Sequence, residues 1–166
     1  MNICNYRVDD RLVHGVVSAS WIPYLRVDRV IVIDKEASEN QITKSALRMA
    51  TPKDVRLSVI PVEKAIENIK SEKYGTEKIM VVVKSPRRVV ELVDAGIKVD
   101  TLTLGNLGNI CKEADSTRIT QFITVNKENK EDLYALSEKG VKLEAQLDPR
   151  EKPIDFLPVL KEKTER

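Results

Sequence analysis

The chain of 166 residues is sized for one domain, and a formal net charge of +2 lacks the concentrated basic face that charge-driven nucleic-acid binding needs. Apolar content of 42% and charged content of 33% describe a soluble globular protein, and aromatics at 4% are too few for stacking platforms that grip single strands. No stretch approaches the ~20 apolar residues of a membrane span, and MNICNYRVDD shows no signal-peptide pattern, so the expected compartment is the cytoplasm.

In chain order, NICNYRV (2–8) predicts the first strand, followed by a charged loop and a helix from about His14 to Ile22 that Pro23 stops. RVIVID (29–34) predicts the second strand. Within ASENQITKSALRMA, Ser38 is a candidate N-cap with Gln41 three residues on, and Ile42, Ala46, Leu47, Met49 and Ala50 fall near one helical face. VRLSVI (55–60) and VEKAIENIK (62–70) predict the third strand and third helix. KIMVVVK (78–84) has a continuous β-branched centre, as in a strand buried on both faces.

SPRRVVELVDAG follows as a helix, with Ser85 at the N-cap position, Pro86 at N1 and Gly96 past the end. DTLTLG (100–105), TRITQFITV (117–125) and VKLEAQL (141–147) complete seven strands. The space between the fifth and sixth suits a hairpin at the sheet edge rather than a helix. Asn126 opens a helix that runs to Lys139, and the charged tail KEKTER is expected to fray. This alternation predicts one α/β domain over 1–166, an open, mostly parallel sheet of about seven strands with helices on both faces and a short antiparallel edge.

In such folds, ligands gather beyond the carboxyl ends of the strands, where strand order reverses. Four loops fall on that edge: DDRLVHG, DKEASEN, KSPRR and GNLGN. His14, the one histidine of the chain, lies at or just before a helix start whose unpaired N–H groups and positive dipole end attract an anion. Gly15 lets the backbone approach closely, and Arg11 could deliver a bidentate fork to a phosphate or carboxylate. A lone histidine in a charged loop is more often merely solvated, and Asp9 and Asp10 serve equally well as helix caps. GNLGN reads first as a tight turn and second as an anion-cradling nest.

Other chemistries lack their motifs. No G-x-G-x-x-G fingerprint, Walker A loop or G-x-S-x-G elbow occurs. Cys4 and Cys111 read as free thiols, and two cysteines with one histidine cannot close a four-ligand zinc site. No metal and no cofactor are expected. Arg87 and Arg88 sit in a first helical turn, where the dipole disfavours cations; this hints weakly at a phosphate or acidic partner nearby, and solvated arginines are the commoner reading.

RVDDRLVHG, with Trp21 seven residues past His14, resembles the signature of the IIB component of the mannose/fructose/sorbose-family phosphoenolpyruvate-dependent sugar phosphotransferase system. The resemblance continues through IVIDKEASENQITKSALRMATPKDVRLSVIPVEKA, VVVKSPRRVVELVDAGIKVDTLTLGNLGN and AQLDPREKPIDF, which is nearly the whole chain. It implies a single IIB domain with protein-phosphohistidine–sugar phosphotransferase activity. His14 would accept a phosphoryl group on Nδ1 from the IIA component. It would pass that group to a sugar imported through the membrane subunits IIC and IID, which would hold the protein peripherally at the membrane.

Arg11 and the amides at the helix start are the candidates for stabilising the transferred charge. Of Asp9 and Asp10, one is expected to orient Arg11 and the other to cap or brace the loop. Arg87, Asn106 and Asn109 are expected to contribute from neighbouring loops. Family members usually carry glutamine after His-Gly, where this chain has Val16, so partner specificity is where it departs from the pattern. A homo-oligomer is compatible with the sequence. The alternative is a IIB-like regulatory protein whose phosphorylation a partner reads, without transfer to sugar.

Overall fold

The computed structural model describes residues 1–108 and 114–165. Its strands are β1 (Asn2–Val8), β2 (Arg29–Ile33), β3 (Arg56–Ile60), β4 (Lys78–Val83), β5 (Thr101–Leu104), β6 (Thr117–Arg118), β7 (Thr124–Val125), β8 (Lys142–Ala145) and β9 (Ile154–Asp155). Seven of them form one sheet in the order β3-β2-β4-β1-β5-β8-β9. All neighbours in it are parallel except β8 and β9, which make the short antiparallel edge. The helices are α1 (Ile22–Leu25), α2 (Lys35–Glu39), α3 (Gln41–Ala50), α4 (Val62–Lys70), α5 (Pro86–Asp94), α6 (Lys127–Glu138) and α7 (Phe156–Thr164).

The period of two along the strands sorts the core into two layers. Val30, Val32, Met80 and Val82 point to one face, where they meet Val17, Trp21 and Leu47. Ile31, Ile33, Ile79, Val81 and Val83 point to the other, beneath Ala65, Val89, Leu133 and Phe156. Each of these nine strand residues is fully buried. Every such side chain contributes about 1.5–3 kcal/mol relative to exposure.

This layering positions the site. The chain leaving central β1 turns to the first face, whereas the helices that follow its neighbours β4 and β5 pack on the second. The loops therefore part above β1, and the crevice between them is the switch point of the sheet.

Several local expectations are corrected. Pro23 does not stop the first helix, which continues to Leu25 before Arg26 takes a left-handed conformation. A π-helical turn, Val17–Trp21, precedes it, with the Ile22 N–H bonded to the Val17 carbonyl five residues back. The widened turn accommodates a residue that lacks an N–H donor. Asp34 caps α2 and Asn40 caps α3, each accepting from a backbone N–H three residues on, so Ser38 is not the cap.

On α3, only Leu47 is buried, and Ile42 and Met49 are 83% and 87% exposed. These two share a stripe at a spacing of seven, and Leu47 lies well round the helix from it. TRITQFITV is not one strand but the hairpin β6–β7, because the Ile119 and Thr120 N–H groups both fold back onto the Ile123 carbonyl. That places the expected hairpin inside the sixth segment, on a separate two-stranded sheet. The tail is helical through Thr164, anchored by buried Phe156 and Leu160.

Candidate functional site

The loop after β1 is fastened at its root. The Asp9 N–H donates to the Val83 carbonyl (2.8 Å), the Asp10 N–H to the Asn106 carbonyl (2.9 Å), and the Gly105 N–H to the Val8 carbonyl (2.9 Å). Leu12 then turns the chain with φ of 58°, its N–H held by the Asp9 carbonyl and its side chain 3% exposed. A leucine tolerates this left-handed conformation at a cost that its burial offsets. The His14 carbonyl accepts the first helical hydrogen bond, from Ser18 at 2.8 Å. The amides of Gly15, Val16 and Val17 therefore stand at the open end of the helix.

Asp9 organises the loop. Its carboxylate is wholly buried. Oδ1 accepts the Arg11 backbone N–H at 3.1 Å. Oδ2 lies 2.8 Å from His14 Nε2 and accepts from Asn106 Nδ2 at 3.2 Å. An ionised carboxylate only accepts, so the proton of the neutral imidazole sits on Nε2 and the lone pair on Nδ1. The ring itself is 13% exposed. Nδ1 makes no hydrogen bond to a described residue.

Behind Asp9 lies Arg7, the first residue of the RVDDRLVHG signature, to which the sequence alone assigned no role. Its side chain is fully buried, with Nε 3.5 Å from Asp9 Oδ2. Nη1 and Nη2 donate to the carbonyls of Gln146 (2.9 Å) and Leu147 (3.0 Å). The Trp21 ring stacks under the guanidinium, 4.9 Å from Cζ, while its Nε1 donates to the same Leu147 carbonyl at 2.7 Å. Burial lowers the Arg7 pKa to about 10, partly offset by Asp9 and Asp148, so the group stays charged at neutral pH. An arginine flanked by Tyr6 and Val8 in a strand destined for the sheet centre was the available signal.

The expected residues divide accordingly. His14, Asp9 and Asn106 are brought together, with Gly15 and Arg11 on the exposed side of the same loop. Asp9 holds Arg11 through the backbone amide of that residue. Asp10 instead lines a cavity of about 430 Å³ beside the loop, with Lys84, Ser85, Gly108, Asn126 and Asn129. Gly15 faces open space: a Cβ there meets nothing within 4 Å. Val16, in the glutamine position, packs partly buried against the Trp21 layer.

Arg87 reaches toward α6, where Nη2 lies 2.6 Å from Asp132 Oδ1 and Nε 3.9 Å from Oε1 of Glu128, a residue that lines the same cavity as Asp10. Asp132 is buried on α6, which a linear reading of KSPRR could not disclose. Asn109 and Cys111 lie outside the described residues. Cys4 is a free thiol. Among the described residues, no cluster of three metal-ligating side chains occurs, and no helix is long and apolar enough to cross a membrane.

Comparison with known proteins identifies relatives along nearly the whole chain. The fructose-specific EIIB component of Bacillus subtilis (strain 168) is 30% identical over 164 residues, covering 99% of both chains. The mannose-specific EIIAB component of Escherichia coli (strain K12) is 29% identical over 91% of this chain, which matches 47% of that longer protein. A solved structure of a phosphoenolpyruvate-dependent phosphotransferase system protein superposes with a TM-score of 0.89 at 29% identity, covering 99% of this chain and all of the other. The family model for the sorbose-subfamily IIB component of the phosphotransferase system matches residues 3–166. The fold and these matches agree: the chain belongs to the sorbose-subfamily IIB components, phosphotransferases of sugar uptake.

Proposed function

We propose that His14 is the phosphoryl carrier and that its Nδ1 accepts the group from a phosphohistidine on a IIA component. The observation that carries this is the Asp9–His14 hydrogen bond at Nε2, which leaves the other ring nitrogen as the nucleophile. In the transfer, the Nδ1 lone pair forms the new P–N bond as the bond to the donor ring breaks. His14 keeps its Nε2 proton against Asp9 throughout. Arg11 and the helix-start amides stabilise the charge on the phosphoryl oxygens in the loose transition state. The matching E. coli protein is an EIIAB component, so a IIA partner is the expected donor.

Onward transfer goes to a sugar imported through IIC and IID, with the protein cytoplasmic and held at the membrane by those subunits. The test is intact-mass spectrometry at mildly alkaline pH after incubation with phosphoenolpyruvate, the general phosphotransferase proteins and IIA. One acid-labile phosphate is expected on the native chain and none on His14→Ala. Absence of phosphate with IIA charged would overturn the proposal. Adding membranes that contain IIC and IID with candidate sugars then separates a transporter component, which loses the phosphate to sugar, from a regulatory carrier, which keeps it.

A further inference from the structure

We infer that Arg7 is a positioning residue for His14: its buried guanidinium balances the Asp9 carboxylate, so that Asp9 holds the Nε2 proton without drawing a second proton onto Nδ1. Its consequence for transfer rests on the reading of His14 as acceptor; its effect on the ring does not.

The case begins with where the charge sits. Arg7 is in the central strand and fully buried, a place that an apolar side chain of similar volume would fill at no electrostatic cost. The surroundings are nonetheless shaped for a guanidinium. Two backbone carbonyls of the β8–β9 connection accept its Nη donors, and Trp21 lies under its plane. Gly105 leaves the room it needs, since a Cβ at that position would stand 2.1 Å from Nη2. The third edge of the guanidinium, Nε, faces the same Asp9 oxygen that holds His14.

An unbalanced buried carboxylate beside imidazole favours the doubly protonated ring, which has no lone pair on Nδ1. A fixed positive charge on the far side of that carboxylate opposes this. The other charged groups around the pair come from three elements. Asp10 and Arg11 flank it on the loop, and Asp148 faces Arg7 from the β8–β9 connection. Lys84, after β4, is drawn to Asp34. Of these, Arg7 is in direct ion-pair contact with Asp9.

The chain has one histidine, so its ring nitrogens give an unambiguous nitrogen-15 NMR titration without any partner protein. Arg7→Gln keeps a donor toward the carbonyls while removing the charge. It is expected to raise the ring's titration midpoint by about one pH unit. Arg7→Lys, which keeps the charge, leaves the midpoint near the native value. Asp9→Asn alone is expected to move the midpoint the opposite way, downward, because the carboxylate that draws the proton is gone.

Arg7→Met is the second charge-removing variant should Arg7→Gln fail to give a dispersed spectrum. A folded charge-removing variant with the native midpoint would overturn the inference. So would a shift of equal size in Arg7→Lys. The pH profile of phosphoryl acceptance from charged IIA is expected to move with the ring titration. A native chain that accepts no phosphate while the Arg7→Gln shift is present would sink the acceptor reading and leave this one standing.

Discussion

Asp9 Oδ2 stands 2.8 Å from His14 Nε2, so one buried carboxylate fixes both the orientation and the tautomer of a partly exposed ring. Asp9→Asn replaces an obligatory acceptor with an amide that either donates or accepts, and the lone pair is no longer held on Nδ1. Single-turnover phosphoryl acceptance is expected to fall roughly 10²-fold. The same change strips Arg7 of its counter-ion, and urea denaturation is expected to register about 3–5 kcal/mol of lost stability. Acceptance at the native rate would show that the bond is incidental.

Gly105→Ala drives a methyl group into the Arg7 guanidinium, to 2.1 Å from Nη2 and 2.4 Å from Cζ. The arginine is pinned by two carbonyls and a tryptophan, so it has little room to yield. The expected cost is about 1–3 kcal/mol, read as a drop of several degrees in melting temperature. Gly15→Ala is the control, because its new methyl meets nothing within 4 Å and the melting temperature should hold.

Arg87→Ala is expected to change stability and leave phosphoryl acceptance within about twofold, an ordinary outcome for a residue outside the reacting groups. Its partner Asp132 is buried, which raises the carboxyl's pKa even though Arg87 pulls it down. A carboxyl raised in the folded state binds its proton more readily there than in the unfolded chain. Its contribution to stability is therefore present below the ordinary aspartate range and lost as pH rises through the raised value. Without Arg87 that loss deepens, so the variant's deficit should be larger at pH 7.5 than at pH 5 in parallel urea titrations.

Asp148 behaves in the opposite sense. Arg150 bonds it through Nε (2.8 Å), Nη2 (2.7 Å) and its backbone N–H (2.9 Å), holding the carboxyl well below its usual range. A depressed carboxyl adds stability above the ordinary aspartate value that disappears as pH falls through the folded one. Asp148→Asn should therefore be less stable than the native chain at pH 7, with the two curves converging below about pH 3. Parallel curves across that range would remove the pair from the stability account.

The strands were legible because continuous β-branched runs such as KIMVVV bury on both faces in a parallel sheet, whatever else the chain does. The histidine loop was legible because its residues sit together in sequence. What stayed hidden depends on neighbours far along the chain. Arg7 meets Gln146 and Leu147 across some 140 positions, and Asn106 reaches Asp9 across 97. The division of labour between Asp9 and Asp10 follows from which of them faces inward at the end of β1, a matter of how the loop turns at Leu12. Ile42 and Met49 misled because apolar residues spaced along a helix normally mark its buried face, and here they mark the exposed one.

The stitching of residues 8–10 to Val83, Gly105 and Asn106 leaves the imidazole no arm on which to swing. Long carrier arms carry cargo between stations; a histidine rooted in the central strand makes the stations come to it. On the proposed reading of His14 as acceptor, donor and recipient would approach Nδ1 from the same solvent side, one after the other. Under the proposed carrier role the two partners would take turns at that surface, as at a turnstile, and throughput would depend on how quickly each visitor departs.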